Sequence, residues 1–136
     1  ETHHLDKNTY SQITNQGVTN DSLQLVFNNT GKIYKGMSSS KAFQSTRGII
    51  LSKKSSLSVN PFLLIDEFDV EAGHGATIGK FDDDSLFYLM SRGLTKSDAE
   101  KLIIAGFITP ILEGIKNEFL KEQINHIINY KLREKR

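Results

Sequence analysis

The sequence lacks cysteine, lacks long apolar runs and lacks an excess of charge of either sign. Without cysteine there are no disulfides, thiolate metal ligands or cysteine nucleophiles, and a reducing, cytoplasmic location is weakly favoured. No apolar run approaches the roughly 20 residues that a membrane-spanning helix needs. The 17 basic and 16 acidic residues leave a net charge of +1. We therefore expect neither nucleic acid nor a membrane as partner.

Sequence motifs of common enzymes are also missing. There is no Gly-x-Ser-x-Gly or His-Glu-x-x-His motif, so nothing indicates a hydrolase. The glycine-rich segment 73–80 differs from a phosphate-binding loop, because only three residues separate Gly75 from Gly79 and Phe81 follows Lys80. We expect these glycines to provide a tight backbone path between two halves of the chain.

Residues 1–81 have the pattern of strands and loops. Short apolar segments such as 23–27, 49–51 and 62–65 are separated by turn-forming residues, and no helical period of 3.6 is visible. This spacing suits a sandwich, a barrel or a β-solenoid, and we find no internal repeat that selects one of them.

Residues 82–136 have the pattern of three helices. Asp82 and its two following aspartates suit a helix start, Gly93 suits a helix end, and the segment 95–98 resembles a capping box. Pro110 is expected to bend or restart the second helix, and a last helix is expected from about Asn117. The predicted buried positions of the second helix are Ala99, Leu102, Ile103 and Phe107.

His74 is the most notable single residue, and two interpretations stay open. It could be a turn histidine with local hydrogen bonds, or it could bind a metal or handle protons. Upstream, Glu67, Asp69 and Glu71 would share one face of a strand, where they could assist a metal site or form a solvated face. A helix-turn-helix over residues 86–99 is disfavoured, because acidic residues balance the lysines of its second helix.

The segment 74–94, HGATIGKFDDDSLFYLMSRGL, resembles the signature of the SufB/SufD family of iron–sulfur cluster assembly scaffolds. The resemblance extends over about residues 20–120. It favours the SufD branch, because SufB-like chains usually have His-Glu at the position of His74 and Gly75, and because SufB supplies a cluster-holding cysteine. Some SufD-like chains have a cysteine where this chain has Ala72, so a ligand role on this side is in question beyond His74.

The resemblance implies a mainly β plus α fold. Residues 1–81 would be the terminal rungs of a right-handed parallel β-helix, residues 82–136 would be a C-terminal helical subdomain, and the chain would be a fragment. The implied function is that of a non-catalytic scaffold, which pairs with a SufB-like scaffold and docks a SufC-like ATPase. The resemblance implies no tightly bound cofactor and a transient iron–sulfur cluster at the interface with SufB. A homodimer is a further possibility.

The resemblance assigns a role to His74, and the enrichment of Arg and Tyr at protein interfaces suggests docking residues on the helices. His74 would lie at the cluster-assembly interface and is the candidate metal ligand. The expected ATPase-docking residues are Tyr88, Arg92, Lys96 and Lys101. Alternatively, Arg92 caps its own helix and Tyr88 packs in the core. For the whole chain, the alternatives are a β-helix enzyme acting on polysaccharide and an interaction module without a cluster role.

Overall fold

The computed structural model describes residues 1–133, in which six strands precede three helices. The strands are β1 (Thr2–His4), β2 (Tyr10–Thr19), β3 (Gln24–Ile33), β4 (Ser40–Ile50), β5 (Ser56–Ile65) and β6 (Val70–Lys80). The helices are α1 (Asp83–Ser91), α2 (Lys96–Glu113) and α3 (Glu118–Arg133). The chain divides into two compact units, one of residues 1–81 and one that begins at Asp82. This order confirms the predicted β-plus-α class.

Successive strands alternate between two parallel sheets. One sheet has the order β1-β3-β5 and the other has the order β2-β4-β6. In the first sheet Asn28 pairs with Asn60, and their side chains are hydrogen-bonded at a sequence separation of 32. In the second sheet Tyr10 pairs with Lys41, and Ser40 pairs with Val70. The β unit therefore has a structural repeat of nearly constant length, and each repeat contributes one strand to each sheet.

Side chains alternate between the inside and the outside of each sheet. On β4, the alternate residues from Ser40 to Gly48 are buried, whereas Lys41 and Arg47 are exposed. The apolar core of the β unit includes Ile33 and Leu57. The inside is narrow enough that glycine is required in places. A Cβ atom added at Gly17 would lie 2.6 Å from Leu25 Cδ2, and one added at Gly48 would lie 2.6 Å from Leu57 Cδ1.

The interior of the β unit also contains hydrogen-bonded polar side chains. Asn15 Nδ2 donates to Asn29 Oδ1 at 2.8 Å, and Asn29 Nδ2 donates to Thr46 Oγ1 at 3.0 Å. These residues come from β2, β3 and β4, so the cluster ties neighbouring strands of both sheets together. Buried His4 is held by the hydroxyls of Thr9 and Ser11. Buried polar groups are tolerated here because most of them have partners.

The corners between strands use residues that accept a left-handed backbone. Asn8, Asp21 and Gly36 have φ values of 56°, 55° and 87°. The corner before β6 is organised by Glu67, which accepts hydrogen bonds from the backbone N–H of Gly36 at 2.8 Å. The prediction that Glu67, Asp69 and Glu71 share one face of a strand was wrong in part. Glu67 lies in this corner because β6 begins only at Val70.

The helix boundaries follow the predicted caps. Asp82 caps α1 by accepting from the backbone N–H of Asp84, and the helix is followed by Gly93 at φ 96°. Thr95 caps α2, and its hydroxyl oxygen accepts from the backbone N–H of Asp98 at 3.2 Å. No second helix starts at Pro110, because α2 continues to Glu113.

Burial on α2 differs from the predicted set. Ala99 is buried as expected, but Leu102 is 53% exposed, and the other buried residues are Ile104 and Leu112. Apolar residues occur on all sides of this helix, so their spacing does not select one face. None of the helices within residues 1–133 is both long and apolar enough to cross a bilayer.

Candidate functional site

His74 lies within strand β6, so the interpretation as a turn histidine was wrong. Strand β6 forms one edge of the sheet β2-β4-β6, and His74 is exposed. Its partner in register on β4 is Gln44, one of the buried inward-facing residues. His74 therefore projects on the same side of the sheet as the interior of the β unit. The glycines around it belong to an extended strand and do not form the predicted path between the two halves.

Strand β6 is the most exposed strand of its sheet. Within residues 1–133 it pairs only with β4, so its other edge carries unpaired backbone N–H and C=O groups. The residues of β6 on the interior side of the sheet pair with the buried residues of β4 but are themselves exposed. They are Ala72, His74, Ala76 and Ile78. Its outward side is almost free of large side chains because Gly73, Gly75 and Gly79 occupy it. The strand thus presents an imidazole beside an open sheet edge.

Gln44 lies next to His74 on the neighbouring strand. It is buried, and one of its hydrogen-bond acceptors has no partner among the described residues. The residue is 5% exposed, and its Nε2 donates to the backbone carbonyl oxygen of Phe62 at 2.9 Å. Its Oε1 is buried and has no hydrogen-bond partner among the described residues. Sequence reasoning placed Gln44 only in a β segment. Gln44 faces inward and pairs in register with His74, which lies one structural repeat later in the chain. This pairing places Gln44 next to the candidate site.

The acidic residues near His74 are engaged elsewhere. Glu71 lies on the outward side of β6, and its Oε1 forms an ion pair with Lys41 Nζ at 2.7 Å. The backbone N–H groups of Gly36 and Phe68 donate to Glu67 and lower the pKa of its carboxyl group. Residues 1–133 contain no group of three or more His, Asp or Glu side chains placed to hold a metal. The metal-ligand role of His74 stays a prediction.

The predicted ATPase-docking residues lie on α1, α2 and the link between them. Tyr88 is 56% exposed, which disagrees with a place in the core. Arg92 Nη2 donates to the Tyr88 hydroxyl at 3.1 Å, and the guanidinium stacks 5.4 Å from the ring centroid. Lys101 Nζ lies 3.9 Å from Asp98 Oδ1, and Lys96 is exposed in the first turn of α2.

Exposed apolar side chains lie on more than one face of α1. Phe87 is 75% exposed and Met90 is 43% exposed, and their helical spacing from Tyr88 places them on a different face of the helix. A groove between α1 and α2 is lined by Tyr88, Leu89, Leu102 and Ile103, together with Asp84 and Ser85. Exposed apolar patches of this kind mark surfaces that bind other proteins. Docking itself stays a prediction.

Comparison with known proteins connects this geometry to a family. The model of the SufBD core domain of the SUF system for FeS cluster assembly matches residues 1–107, from β1 into α2. The chain is 42% identical over 130 residues to the iron–sulfur cluster assembly protein SufD of Bacillus subtilis, which is 96% of this chain and 30% of that protein. It is 31% identical over 107 residues to SufD of Escherichia coli, which is 79% of this chain and 25% of that protein.

A third relative is archaeal. The chain is 42% identical over 94 residues to an iron–sulfur cluster assembly SufBD family protein of Pyrococcus horikoshii, covering 68% of this chain and 21% of that protein. The chain thus spans 30% or less of the length of these three relatives. With a family model over residues 1–107 and SufD proteins among its relatives, the chain belongs to the SufBD core family and is SufD-like.

Proposed function

We propose that the chain is a non-catalytic scaffold in iron–sulfur cluster assembly and presents His74 to a nascent cluster at an interface with a SufB-like partner. The observation that carries this proposal is the exposed imidazole on an edge strand inside the region matched by the family. An edge strand with unpaired backbone groups can pair with a strand of another chain. Such pairing would bring His74 close to side chains of the partner.

The alternation of strands supports a specific architecture for the β unit. Parallel pairing at a nearly constant sequence offset in both sheets is the geometry expected of stacked rungs. We infer that residues 1–81 form terminal rungs of a right-handed parallel β-helix, the hand that parallel crossovers nearly always take. Additional rungs would stack on the edges formed by β1 and β2, opposite the edge that β6 forms.

The iron–sulfur cluster would be bound transiently and then transferred to another protein. A neutral imidazole nitrogen is a good donor to iron, but one histidine supplies one ligand. The chain has no cysteine, and residues 1–133 hold no group of three candidate ligands. The other ligands would therefore come from the partner, as with the cysteine of SufB that the resemblance implies. A transient cluster follows from such a divided site.

The test of this role is His74→Ala in the complex with SufB-like and SufC-like partners. Cluster formation, followed by bound iron and visible absorbance, should fall at least about tenfold if a ligand is lost. Assembly of the complex and the thermal midpoint should not change, because His74 is exposed. His126→Ala is the matched control, since His126 is an exposed histidine on α3. Unchanged cluster formation by the His74→Ala protein would refute the proposal.

We further propose that α1 and the start of α2 dock a SufC-like ATPase. The support is the apolar groove between α1 and α2, which Tyr88 lines, and the hydrogen bond that Arg92 donates to the hydroxyl of this exposed tyrosine. Tyr and Arg are enriched among the residues that anchor protein interfaces, and their stacking here pre-orders both side chains. Lys96 and Lys101 line a separate shallow depression on α2 and would extend the docking surface beyond the groove.

Substitutions that reverse the charge of a single lysine can distinguish a loss of ATPase docking from a loss of helix stability. Lys101→Glu should weaken ATPase binding several-fold, measured by calorimetry with the purified ATPase. Lys121→Glu is a close control, because Lys121 lies 3.8 Å from Glu118 in the same i,i+3 arrangement as Lys101 with Asp98. Equal effects of the two substitutions would contradict the docking face. Absence of binding at tens of micromolar ATPase would contradict docking altogether.

A further inference from the structure

The side-chain amide of Gln44 has a fixed orientation. The backbone carbonyl of Phe62 can only accept a hydrogen bond, so the group that faces it at 2.9 Å must be the Gln44 nitrogen. Space for that nitrogen exists because residue 31 is glycine. A Cβ atom added at Gly31 would lie 3.2 Å from Gln44 Nε2. The amide oxygen is therefore directed away from Phe62.

The Gln44 oxygen is buried without a partner. Gln44 is 5% exposed, and Oε1 receives no hydrogen bond from any described residue. Buried acceptors are normally paired, and unpaired ones point to a ligand, a strained group or a functional contact. An acceptor in this position can accept a hydrogen bond from a neighbouring N–H group.

The residue beside this oxygen on the next strand is His74. Gln44 and His74 are paired in register between β4 and β6 and project to the same side. Neighbouring strands lie about 4.8 Å apart, which places the two side chains within reach of each other. His74 is exposed, so its ring can change orientation about its side-chain bonds.

We propose that Gln44 is a positioning residue, whose Oε1 accepts a hydrogen bond from one ring N–H of His74. The bond would hold the neutral imidazole in one tautomer, with the lone pair of the other nitrogen directed outward to iron. Histidines that bind metals usually donate their second ring N–H to an oxygen acceptor in this way. The inference rests on the proposed role of His74 for its consequence in assembly, while the contact itself is independent of that role.

The test is the tautomer of His74, read from long-range 15N–1H NMR of the imidazole ring in the whole chain at a pH where the ring is neutral. Signals are assigned with the His74→Ala variant. The ratio of the two tautomers should differ from that of the exposed His126 by about five- to tenfold, the size of one net hydrogen bond. A wild-type His74 ring with the same tautomer ratio as His126 would overturn the contact without the need for any variant.

Two substitutions of Gln44 separate positioning from structural support. Gln44→Met removes both the donor to Phe62 and the acceptor, so the tautomer ratio should return to that of the exposed His126. Gln44→Glu removes the donor but keeps an acceptor, so the bias should persist. Equal loss in both variants would mean that Gln44 only anchors β5, and the inference would fail. Gln12→Met, on the exposed outward side of β2, should leave the ring signals unchanged.

Cluster assembly then distinguishes the two proposals. If His74 binds the cluster, Gln44→Met should lower assembly several-fold in the complex, and it should add nothing in a protein that already carries His74→Ala. A tautomer bias together with full activity of His74→Ala would refute the proposed function and leave the contact standing. A loss of assembly in His74→Ala without any tautomer bias would refute Gln44 alone.

Discussion

At the scale of single residues, the interior of the β unit is more polar than the sequence pattern predicts. The apolar segments indicated strands, but polar residues such as Asn15, Asn29 and Thr46 carry no local signal of burial. Their side chains form a buried cluster because each strand places them inward at neighbouring positions. Such partners are 14 to 31 residues apart in the chain. Local patterns therefore identify the strands and cannot identify these pairs.

Glu67 gives the β unit a defined response to acid. Its carboxylate accepts backbone N–H bonds from Gly36 and Phe68, which lower its pKa from the ordinary value of 4.5. A pKa that is lower in the folded than in the unfolded state stabilises the fold above the unfolded value, and this stabilisation is lost as pH falls through the folded-state pKa.

We therefore expect Glu67→Gln to lower the thermal midpoint near neutral pH, with a difference from wild type that shrinks as the pH falls below 4.5. The measurement is circular dichroism melting over a pH series. Glu122→Gln, an exposed glutamate on α3, serves as control. A difference that grows on acidification would contradict the role of these hydrogen bonds.

At the scale of elements, the helix ends could be predicted from the sequence, whereas the register of the parallel strands could not. The caps at Asp82 and Thr95 depend on residues within three positions, so their sequence signature is complete in itself. Strand partners lie a whole structural repeat away in the chain. Gln44 shows the difference, because its importance follows only from its register with His74.

The cap of α2 can be tested directly. Thr95→Ala removes the acceptor for the backbone N–H of Asp98 and should lower the free energy of unfolding by about 1 kcal/mol. Thr95→Ser keeps the hydroxyl and should stay within about 0.5 kcal/mol of wild type. Urea denaturation monitored by helical circular dichroism measures both. Equal losses for Ala and Ser would show that the Thr95 methyl group, and not the cap, stabilises the helix.

At the scale of the molecule, the change of period near Asp82 predicted the order of strands and helices. The structural repeat remained hidden because equivalent inward positions hold unlike residues. One inward column contains Ile13, Gln44 and His74. In successive repeats, this position therefore holds an apolar side chain, a buried amide and an exposed imidazole. Sequence similarity between repeats is therefore low although their geometry is the same.

The sheet order predicts where the β unit opens first. Strands β3 and β4 are paired on both sides, whereas β6 has one free edge within the described residues. Hydrogen exchange followed by NMR should show slower exchange for the amides of β4 than for those of β6. Equal protection of the two strands in the isolated chain would indicate that another contact covers β6.

The constant length of the structural repeat bears on how chains of this kind change over evolutionary time. Inserting one whole repeat adds a strand to each sheet and leaves a free edge like the one before, so every inward residue stays inward. Deleting one residue within a strand instead reverses inside and outside for the rest of that strand. We therefore expect related chains to gain and lose length in steps of one whole repeat, with single-residue changes confined to the corners.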